Sequence, residues 1–377
     1  MIIGIDVSAI VYETGVSDYT LSLVKNLVKL DRLNTYKLFF SSFRQPIPET
    51  LKKLSKYPNV KIFSFRLPPT LLDFLWNRLH LFPIEFFIGK CDIFHTWDWT
   101  QPPTIKAKTV TTVHDLVPFL YPENQHPKII NTFKRKFYWA LRECRHFICV
   151  SENSQKDLLR LFPQIPPNHT SVVYEAAEDK YSDFIKLPRS LQEKKKMQIN
   201  SLYGLDKFIL TQSTREPRKN LPRLIEAFTV FRQHYPHSQV ILAITGKYGW
   251  GKDIPRDSNP WIKVLGFIPE KDLVALHASA LFLAYPSLYE GFGLPLLKSM
   301  KVGVPVLTSN VSSLPEIAGR GALLVDPESV ESITKGIEKL VNSPTLRSRL
   351  SKKALLQSAP FSWLKTAKET LNVYQKI

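Results

Sequence analysis

The residues of this chain whose types and spacing could do chemistry fall in four short segments. The first is Tyr285-Pro286-Ser287-Leu288-Tyr289-Glu290-Gly291-Phe292-Gly293-Leu294-Pro295-Leu296-Leu297-Lys298, directly after an apolar run. Its two glycines let backbone approach a ligand, and Pro295 suits the first turn of a helix. The unpaired amides at a helix start form an anion site. Glu290 stands just before it, and a carboxylate beside a phosphate site makes chemical sense when it holds a hydroxyl or a sugar. The second segment, Ser213-Thr214-Arg215-Glu216-Pro217-Arg218-Lys219-Asn220, places Arg218 and Lys219 side by side after another apolar run. A planar guanidinium next to an ammonium can neutralise a diphosphate. The third is His114-Asp115, directly after an expected strand, and the fourth is Gly15-Val16-Ser17, between the first expected strand and the first helix. Taken singly, each segment also suits an ordinary role: a Gly-Pro turn, a basic surface turn, a structural histidine or a plain loop. The chain holds no G-x-G-x-x-G and no P-loop lysine motif, so a dinucleotide dehydrogenase or an NTPase is not supported.

Such segments need strands and helices to position them. Apolar or β-branched runs alternate with amphipathic stretches in both halves, the pattern of parallel-sheet domains. The runs predict strands at 2–7, 37–41, 60–65, 92–95, 109–113, 146–151 and 171–174, then at 208–212, 239–245, 262–266, 280–285, 304–308 and 322–325. Helices are expected over 17–31, 71–81, 127–143 and 152–162, the last capped by Ser151. A further helix capped by Asn220 has Pro222 in its first turn and Leu221, Leu224, Ile225, Phe228 and Phe231 at helical spacing. Between Asp179 and Leu205 the pattern lapses into Pro188 and a Glu193-Lys194-Lys195-Lys196 charge run, which places the boundary between domains 1–180 and 200–361. Ligands of open α/β sheets bind at the carboxyl ends of the strands, so the expected architecture is two such sheets facing across a cleft.

With 377 residues and 44% hydrophobic content the chain is too long for one compact core and too apolar for disorder. Its three cysteines, Cys91, Cys144 and Cys149, cannot pair completely and offer no metal quartet, which favours a reducing compartment. The opening Met1-Ile2-Ile3-Gly4-Ile5-Asp6-Val7 reads as a buried strand and argues against a secretory signal, and no apolar run reaches the roughly 18 residues that span a bilayer. A cytoplasmic protein is the expectation. The net charge of +18 is diffuse, with basic windows at Lys52 to Arg66 and Lys128 to Arg145. Such windows are solvated helix faces or attract an anionic partner. No zinc-finger, RRM or KH signature accompanies them, which sets nucleic acid aside as a partner. Residues 71–90 are more apolar than a solvated helix needs, through Leu71, Phe74, Trp76, Leu79, Phe82 and Phe86 among others. Core packing explains that, and peripheral contact with the inner membrane face is the alternative.

In order along the chain, these motifs resemble those of family 4 retaining glycosyltransferases of GT-B fold, in the group similar to bacterial mannosyltransferases of surface-polysaccharide synthesis. The resemblance rests on Glu290 to Pro295 within an E-x7-E motif, on Glu216-Pro217-Arg218-Lys219-Asn220, and on Pro305-Val306 before Ser312-Ser313-Leu314-Pro315-Glu316. It extends to Leu324-Val325-Asp326-Pro327, the closing Phe361-Ser362-Trp363 and, in the first half, Gly15, His114-Asp115 and Val150-Ser151-Glu152. It implies a first domain that binds a glycan or lipid-linked acceptor, a second that binds a nucleotide-diphospho-sugar, and a last helix, about 362–377, that crosses back to the first. Carried over by position, catalytic roles fall to Glu290, Arg218, Lys219 and His114. Arg218 and Lys219 would hold the diphosphate, Glu290 the sugar hydroxyls, and His114 would line the sugar site. The amides of Gly291, Phe292, Gly293 and Leu294 would meet phosphate or sugar, Gly15 would sit by the phosphates, and Gly266 and Phe267 would face the base. No D-x-D triplet occurs in the sequence, so no metal and no cofactor beyond the donor is expected, and leaving-group charge falls to Arg, Lys and helix amides.

Two positions depart from the family pattern. Ser17 stands where a second glycine is frequent, and Lys298 stands where the second glutamate of E-x7-E falls. That glutamate accepts hydrogen bonds from a ribose diol, and lysine only donates. The loss is worth about 1–3 kcal/mol of donor binding. Either Lys298 contacts phosphate or base instead, or the chain is a catalytically silent GT-B partner subunit that binds nucleotide or glycan. Lys298→Glu is expected to tighten donor binding if the ribose contact is merely missing, and a drop in affinity would show a positive role for Lys298.

Overall fold

A computed structural model of the chain describes residues 1–12, 14–97, 99–246 and 259–377. They form two compact units, Met1–Glu175 with Trp363–Ile377, and Ala176–Ser362.

Among the described residues the first unit carries a seven-stranded sheet of β1 (Ile2–Asp6), β2 (Thr35–Ser41), β3 (Val60–Phe65), β4 (Ile93–Thr96), β5 (Lys108–Val113), β6 (Cys144–Cys149) and β7 (Thr170–Val172). Its order is β3-β2-β1-β4-β5-β6-β7, every pairing parallel. Parallel strands need helical crossovers, which bury both sheet faces and make the strands continuous apolar runs. Phe39, Leu72, Trp76 and Phe94 fill one cluster; Val113, Phe137, Phe147 and Leu158 fill another. Ser151 caps Glu152–Leu161 by accepting the Ser154 amide at 3.0 Å, as expected. The closing helix Trp363–Lys376 belongs to this unit, and its Tyr374 Oη lies 2.6 Å from His95 Nδ1 under β4.

The second unit carries a six-stranded sheet of β8 (Phe208–Gln212), β9 (Ile241–Thr245), β10 (Ile262–Gly266), β11 (Phe282–Tyr285), β12 (Val306–Ser309) and β13 (Ala322–Val325), in the order β10-β9-β8-β11-β12-β13 and again all parallel among the described residues. Ile209, Phe228, Leu242, Phe282, Leu307 and Ile337 centre its core. In this order the chain runs outward from β8 through β9 to β10, then resumes with β11 on the other side of β8. Loops leaving β8 and β11 therefore diverge to opposite faces and open a crevice at their carboxyl ends, where α/β sheets bind ligands.

Three expectations need correction. The boundary falls before 180–200: the second unit begins at Ala176, and Asp179–Phe184 and Arg189–Tyr203 are its helices. The charge run that breaks the apolar pattern is the exposed side of a helix that buries little beyond Ile199. Residues 71–81 do not form one α-helix but a short helix, Pro69–Leu72, followed by a π-helical stretch, Asp73–Arg78. Asn220 does begin the helix Leu221–His234, yet its side chain does not cap it. It adopts the left-handed conformation at φ 60°, and its Nδ2 donates to the carbonyls of Pro286 (2.9 Å) and Pro327 (2.6 Å). The residue ties three loops together at the carboxyl edge.

Candidate functional site

The crevice between β8 and β11 holds the ionic cluster of the second unit. Arg218 and Lys219 lie on the single turn Pro217–Lys219 that follows β8, and Glu290 lies on the loop that follows β11. Arg218 Nη1 donates to Glu290 Oε2 at 2.8 Å. Lys219 Nζ donates to both carboxylate oxygens of Glu290, at 2.7 and 2.9 Å. Arg218 also donates through Nε to Glu216 Oε2 (2.8 Å) and through Nη1 to the Tyr289 carbonyl (3.2 Å). Both cations and Glu290 are largely buried.

Burial by itself would raise the Glu290 carboxyl, but the charges of Lys219 and Arg218, with hydrogen bonds from Lys219 and Tyr285, override it and hold the group at about 2. Burial and the neighbouring Arg218 push the Lys219 ammonium below the ordinary lysine range, against the pull of Glu290 and Glu216. The cluster thus has two fixed cations and two carboxylates in a low-dielectric pocket, where each charge acts more strongly than in water.

Tyr285, the last residue of β11, was not singled out from the sequence. Its hydroxyl accepts from Lys219 at 2.9 Å and donates to Glu290 Oε1 at 2.7 Å, and burial together with Glu290 raises the phenol well above its usual range. Glu216 was read only as part of a motif, and it is the second carboxylate on Arg218. The signal was available for Glu216, which sits in the segment that follows a strand's carboxyl end. Ser213, next to β8, has a buried hydroxyl with no partner among the described residues.

The loop through Glu290 is clamped from the turn after β12. Ser312, itself at φ 62°, accepts the Glu290 amide through Oγ (2.9 Å) and donates to the Glu290 carbonyl (2.5 Å). Ser313 donates to the carbonyls of Glu290 (2.9 Å) and Phe292 (3.0 Å). These contacts give Ser312-Ser313 a physical role that spacing could not show. Gly293 follows at φ 105° and leads into the helix Leu294–Lys301, with Pro295 in its first turn. An ideal Cβ on Gly293 would stand 3.0 Å from Leu314, so both conformation and space favour glycine here. The Leu294 and Leu296 amides of that first turn have no intrahelical acceptor.

Other site candidates lie elsewhere. Lys298 is buried on the same helix, and its ammonium is 3.6 Å from Glu178 and 5.5 Å from the centre of the Tyr181 ring. Gly266 and exposed Phe267 are at the end of β10, two strands from β8, and Gly266 takes φ 70° with open space at its Cβ. Gly15 and His114 belong to the first unit. Gly15 opens the helix Gly15–Leu30, where Ser17 Oγ accepts the Thr14 amide (3.1 Å) and donates to the Ala9 carbonyl (2.7 Å), a job a second glycine could not do. His114 follows β5, and its Nδ1 lies 2.8 Å from the buried carboxylate of Glu175 while its ring meets the Tyr19 ring edge at 4.5 Å.

Comparison with known proteins agrees with this geometry. Residues 192–357 match the family model for glycosyl transferases group 1, and residues 14–179 match that for Glycosyltransferase Family 4. The chain is 32% identical to the O-antigen chain mannosyltransferase B of Escherichia coli, over 96% of either chain. In fold it is similar to a sucrose-phosphate synthase from Thermosynechococcus elongatus (TM-score 0.75, 16% identity, 100% of this chain and 98% of that one). It is likewise similar to HepE of Anabaena in complex with UDP and glucose (TM-score 0.70, 16% identity, 100% and 99%). Two parallel Rossmann-like sheets, a glycine-bearing loop held by Arg218, Lys219 and Ser312, and full-length similarity at this level make one conclusion: the chain belongs to the group 1 glycosyltransferases, of GT-B fold.

Proposed function

We propose that this glycosyltransferase moves a hexose, mannose in the first instance, from a nucleotide-diphospho-sugar to a glycan or lipid-linked acceptor of a surface polysaccharide, with retention and without a metal ion. The similarity to an O-antigen mannosyltransferase along both full lengths supports the sugar and the pathway. The observation that carries the reading is Glu290 held between Arg218 and Lys219 at the point where the strand order reverses.

The chemistry follows from the charges. An incoming diphosphate competes with Glu216 and Glu290 for Arg218 and Lys219. Its binding releases carboxylate lone pairs, and those on Glu290 accept hydrogen bonds from sugar hydroxyls. As the glycosidic phosphate bond breaks, negative charge grows on the leaving oxygen, where the guanidinium, the ammonium and the amides of Gly291, Phe292, Gly293 and Leu294 meet it. Preorganised donors of this kind contribute roughly 3–4 kcal/mol each when removed singly. The acceptor attacks the face the phosphate leaves, and the phosphate oxygen takes its proton. His114, held by Glu175, orients hydroxyls rather than serving as the base; Gly15 leaves room for phosphate, and Gly266 and Phe267 meet the base.

The alternative, a catalytically silent nucleotide- or glycan-binding subunit, draws on Lys298. One experiment separates the two: release of nucleoside diphosphate from GDP-mannose and a panel of UDP, ADP and dTDP sugars, with and without acceptor and with EDTA. The proposal expects release from one donor, unaffected by EDTA; binding without release from any donor supports the silent subunit.

A further inference from the structure

Gln212, the last residue of β8, is half-buried at the carboxyl edge of the second unit. A chain of polar side chains runs inward from it. Gln212 Oε1 is 2.7 Å from His277 Nε2, and His277 Nδ1 is 2.7 Å from Ser299 Oγ. His277 belongs to the helix Glu270–Ser279 and Ser299 to the helix Leu294–Lys301, and both are fully buried. A buried imidazole or hydroxyl is costly unless paired, and once every bond is made such a network fixes the position of each member.

Charge sets the direction of the chain. Burial and, next, the charge of Lys298 push the His277 imidazole down to about 3, against the pull of Glu178. The ring is therefore neutral, with one nitrogen donating and the other accepting. The Gln212 oxygen can only accept. The His277 proton thus sits on Nε2, Nδ1 accepts from the Ser299 hydroxyl, and the Gln212 amide is held with its oxygen inward. What remains is Gln212 Nε2, which has two N–H donors and no acceptor among the described residues. Lys298, 5.5 Å from the Tyr181 ring that meets the His277 ring edge-on at 5.8 Å, has a second effect beside its pair with Glu178: it keeps the imidazole from charging.

The backbone under Gln212 is pinned as well. Gln212 is in register with Thr245 of β9, and the Ser213 amide donates to the Thr245 carbonyl at 2.9 Å. Gly246 packs so closely that a Cβ there would stand 1.9 Å from the Ser213 carbonyl oxygen. A donor group on a strand end, fixed through both backbone and side chain, has the preorganisation that a ligand contact needs. The turn Pro217–Lys219, which follows β8, carries the cations proposed for the diphosphate. With the sugar on Glu290, the part of a nucleotide-diphospho-sugar left for Gln212 is the nucleoside, whose hydroxyl and carbonyl oxygens accept hydrogen bonds.

We propose that Gln212 reads the nucleoside of the donor, its amide N–H groups donating to a ribose hydroxyl or a base carbonyl oxygen, and that His277 and Ser299 are positioning residues acting through it. The inference rests on the donor reading and extends it to residues which that reading does not use.

The test is calorimetric titration of GDP, UDP and ADP, and of the 2′,3′-dideoxy form of each, into wild type, Gln212→Met, Gln212→Glu and His277→Phe. Gln212→Met should bind the preferred ribonucleotide roughly five- to tenfold more weakly, the scale of one hydrogen bond. Gln212→Glu keeps an acceptor for the His277 proton, which guards against misfolding, and should lose the same contact. If the contact is to ribose, the wild type discriminates against the dideoxy form and Gln212→Met does not. If it is to the base, Gln212→Met narrows the margin of GDP or UDP over ADP. His277→Phe should lose the same margin, and combined with Gln212→Met should lose nothing further. Undiminished binding by a folded Gln212→Met variant, or a loss that leaves both margins unchanged, overturns the proposal while the donor reading stands. A His277→Phe variant that melts lower yet keeps the wild-type margin overturns the positioning role. A folded wild type that binds none of the three nucleotides overturns the donor reading and this inference with it.

Discussion

Lys298 and Glu178 form a pair across two helical segments of the second unit, the ammonium 3.6 Å from the carboxylate, with Lys298 buried and Glu178 preceding the helix Asp179–Phe184. Burial would raise the Glu178 carboxyl, but the charges of Lys298 and Lys180 bring it below its ordinary range. The lysine that departs from the family's motif is therefore matched by an acid within the same unit. This changes what its replacement should do. Lys298→Glu would set two carboxylates against each other where there is little water, and should cost about 3 kcal/mol of stability. Glu178→Lys combined with Lys298→Glu should recover at least half of that loss. Thermal melts of the single and double variants check this. A single variant as stable as the wild type contradicts it.

Glu290→Gln should weaken the fold as well as the chemistry, with a characteristic pH dependence. The native carboxyl titrates at about 2, below its value in an unfolded chain, so its contribution is present above roughly pH 4.5 and is lost as pH falls through the native value. The melting temperatures of wild type and Glu290→Gln should differ at pH 7 and converge between pH 4.5 and about 2. Transfer rate at pH 7 should fall on the order of 100-fold or more.

Tyr285→Phe removes one hydroxyl and leaves the ring. Lys219 and Glu290 Oε1 each lose one of their hydrogen bonds, while the contact between them at 2.7 Å remains. A cost of about 1 kcal/mol in stability is expected, with a larger fractional loss in kcat than in donor affinity. Steady-state kinetics over a range of donor concentration resolve the two.

Gly246 and Gly266 give a paired test of the carboxyl edge. Both have positive φ, 138° and 70°, but an ideal Cβ at Gly246 would lie 1.9 Å from the Ser213 carbonyl oxygen, whereas at Gly266 it meets nothing within 4 Å. Gly266→Ala should cost about 1–2 kcal/mol from backbone conformation alone. Gly246→Ala must displace the segment that leads from β8 to Arg218, and should lose more stability and most activity. Urea unfolding of the two variants distinguishes the cases.

The sheets were legible because fully buried parallel strands leave continuous apolar runs: 208–212 and 60–65 are found where Phe208–Gln212 and Val60–Phe65 lie. Arg218, Lys219 and Glu290 were legible because they flank turns after such runs. Tyr285 was hidden by its own strand, since an aromatic at the end of an apolar run reads as core. Glu178 was invisible as the partner of Lys298, because a pairing between residues 120 positions apart leaves no local pattern. The 176–199 helices were missed since a surface helix that buries one or two side chains has almost no apolar period to read. Asn220 was misread as a side-chain cap because its residue type fits one, while its amide is engaged by carbonyls far along the chain.

The central claim is that Arg218, Lys219 and Glu290 form the place where a nucleotide-diphospho-sugar is bound and its phosphate leaves. Calorimetric titration of GDP-mannose and UDP-glucose into wild type and Arg218→Ala, in EDTA, tests it most directly. The account predicts metal-independent binding of one donor by the wild type and a loss of roughly tenfold or more in Arg218→Ala, the scale of a charged hydrogen bond, with the second unit still folded. Undiminished binding by a folded Arg218→Ala variant would contradict it.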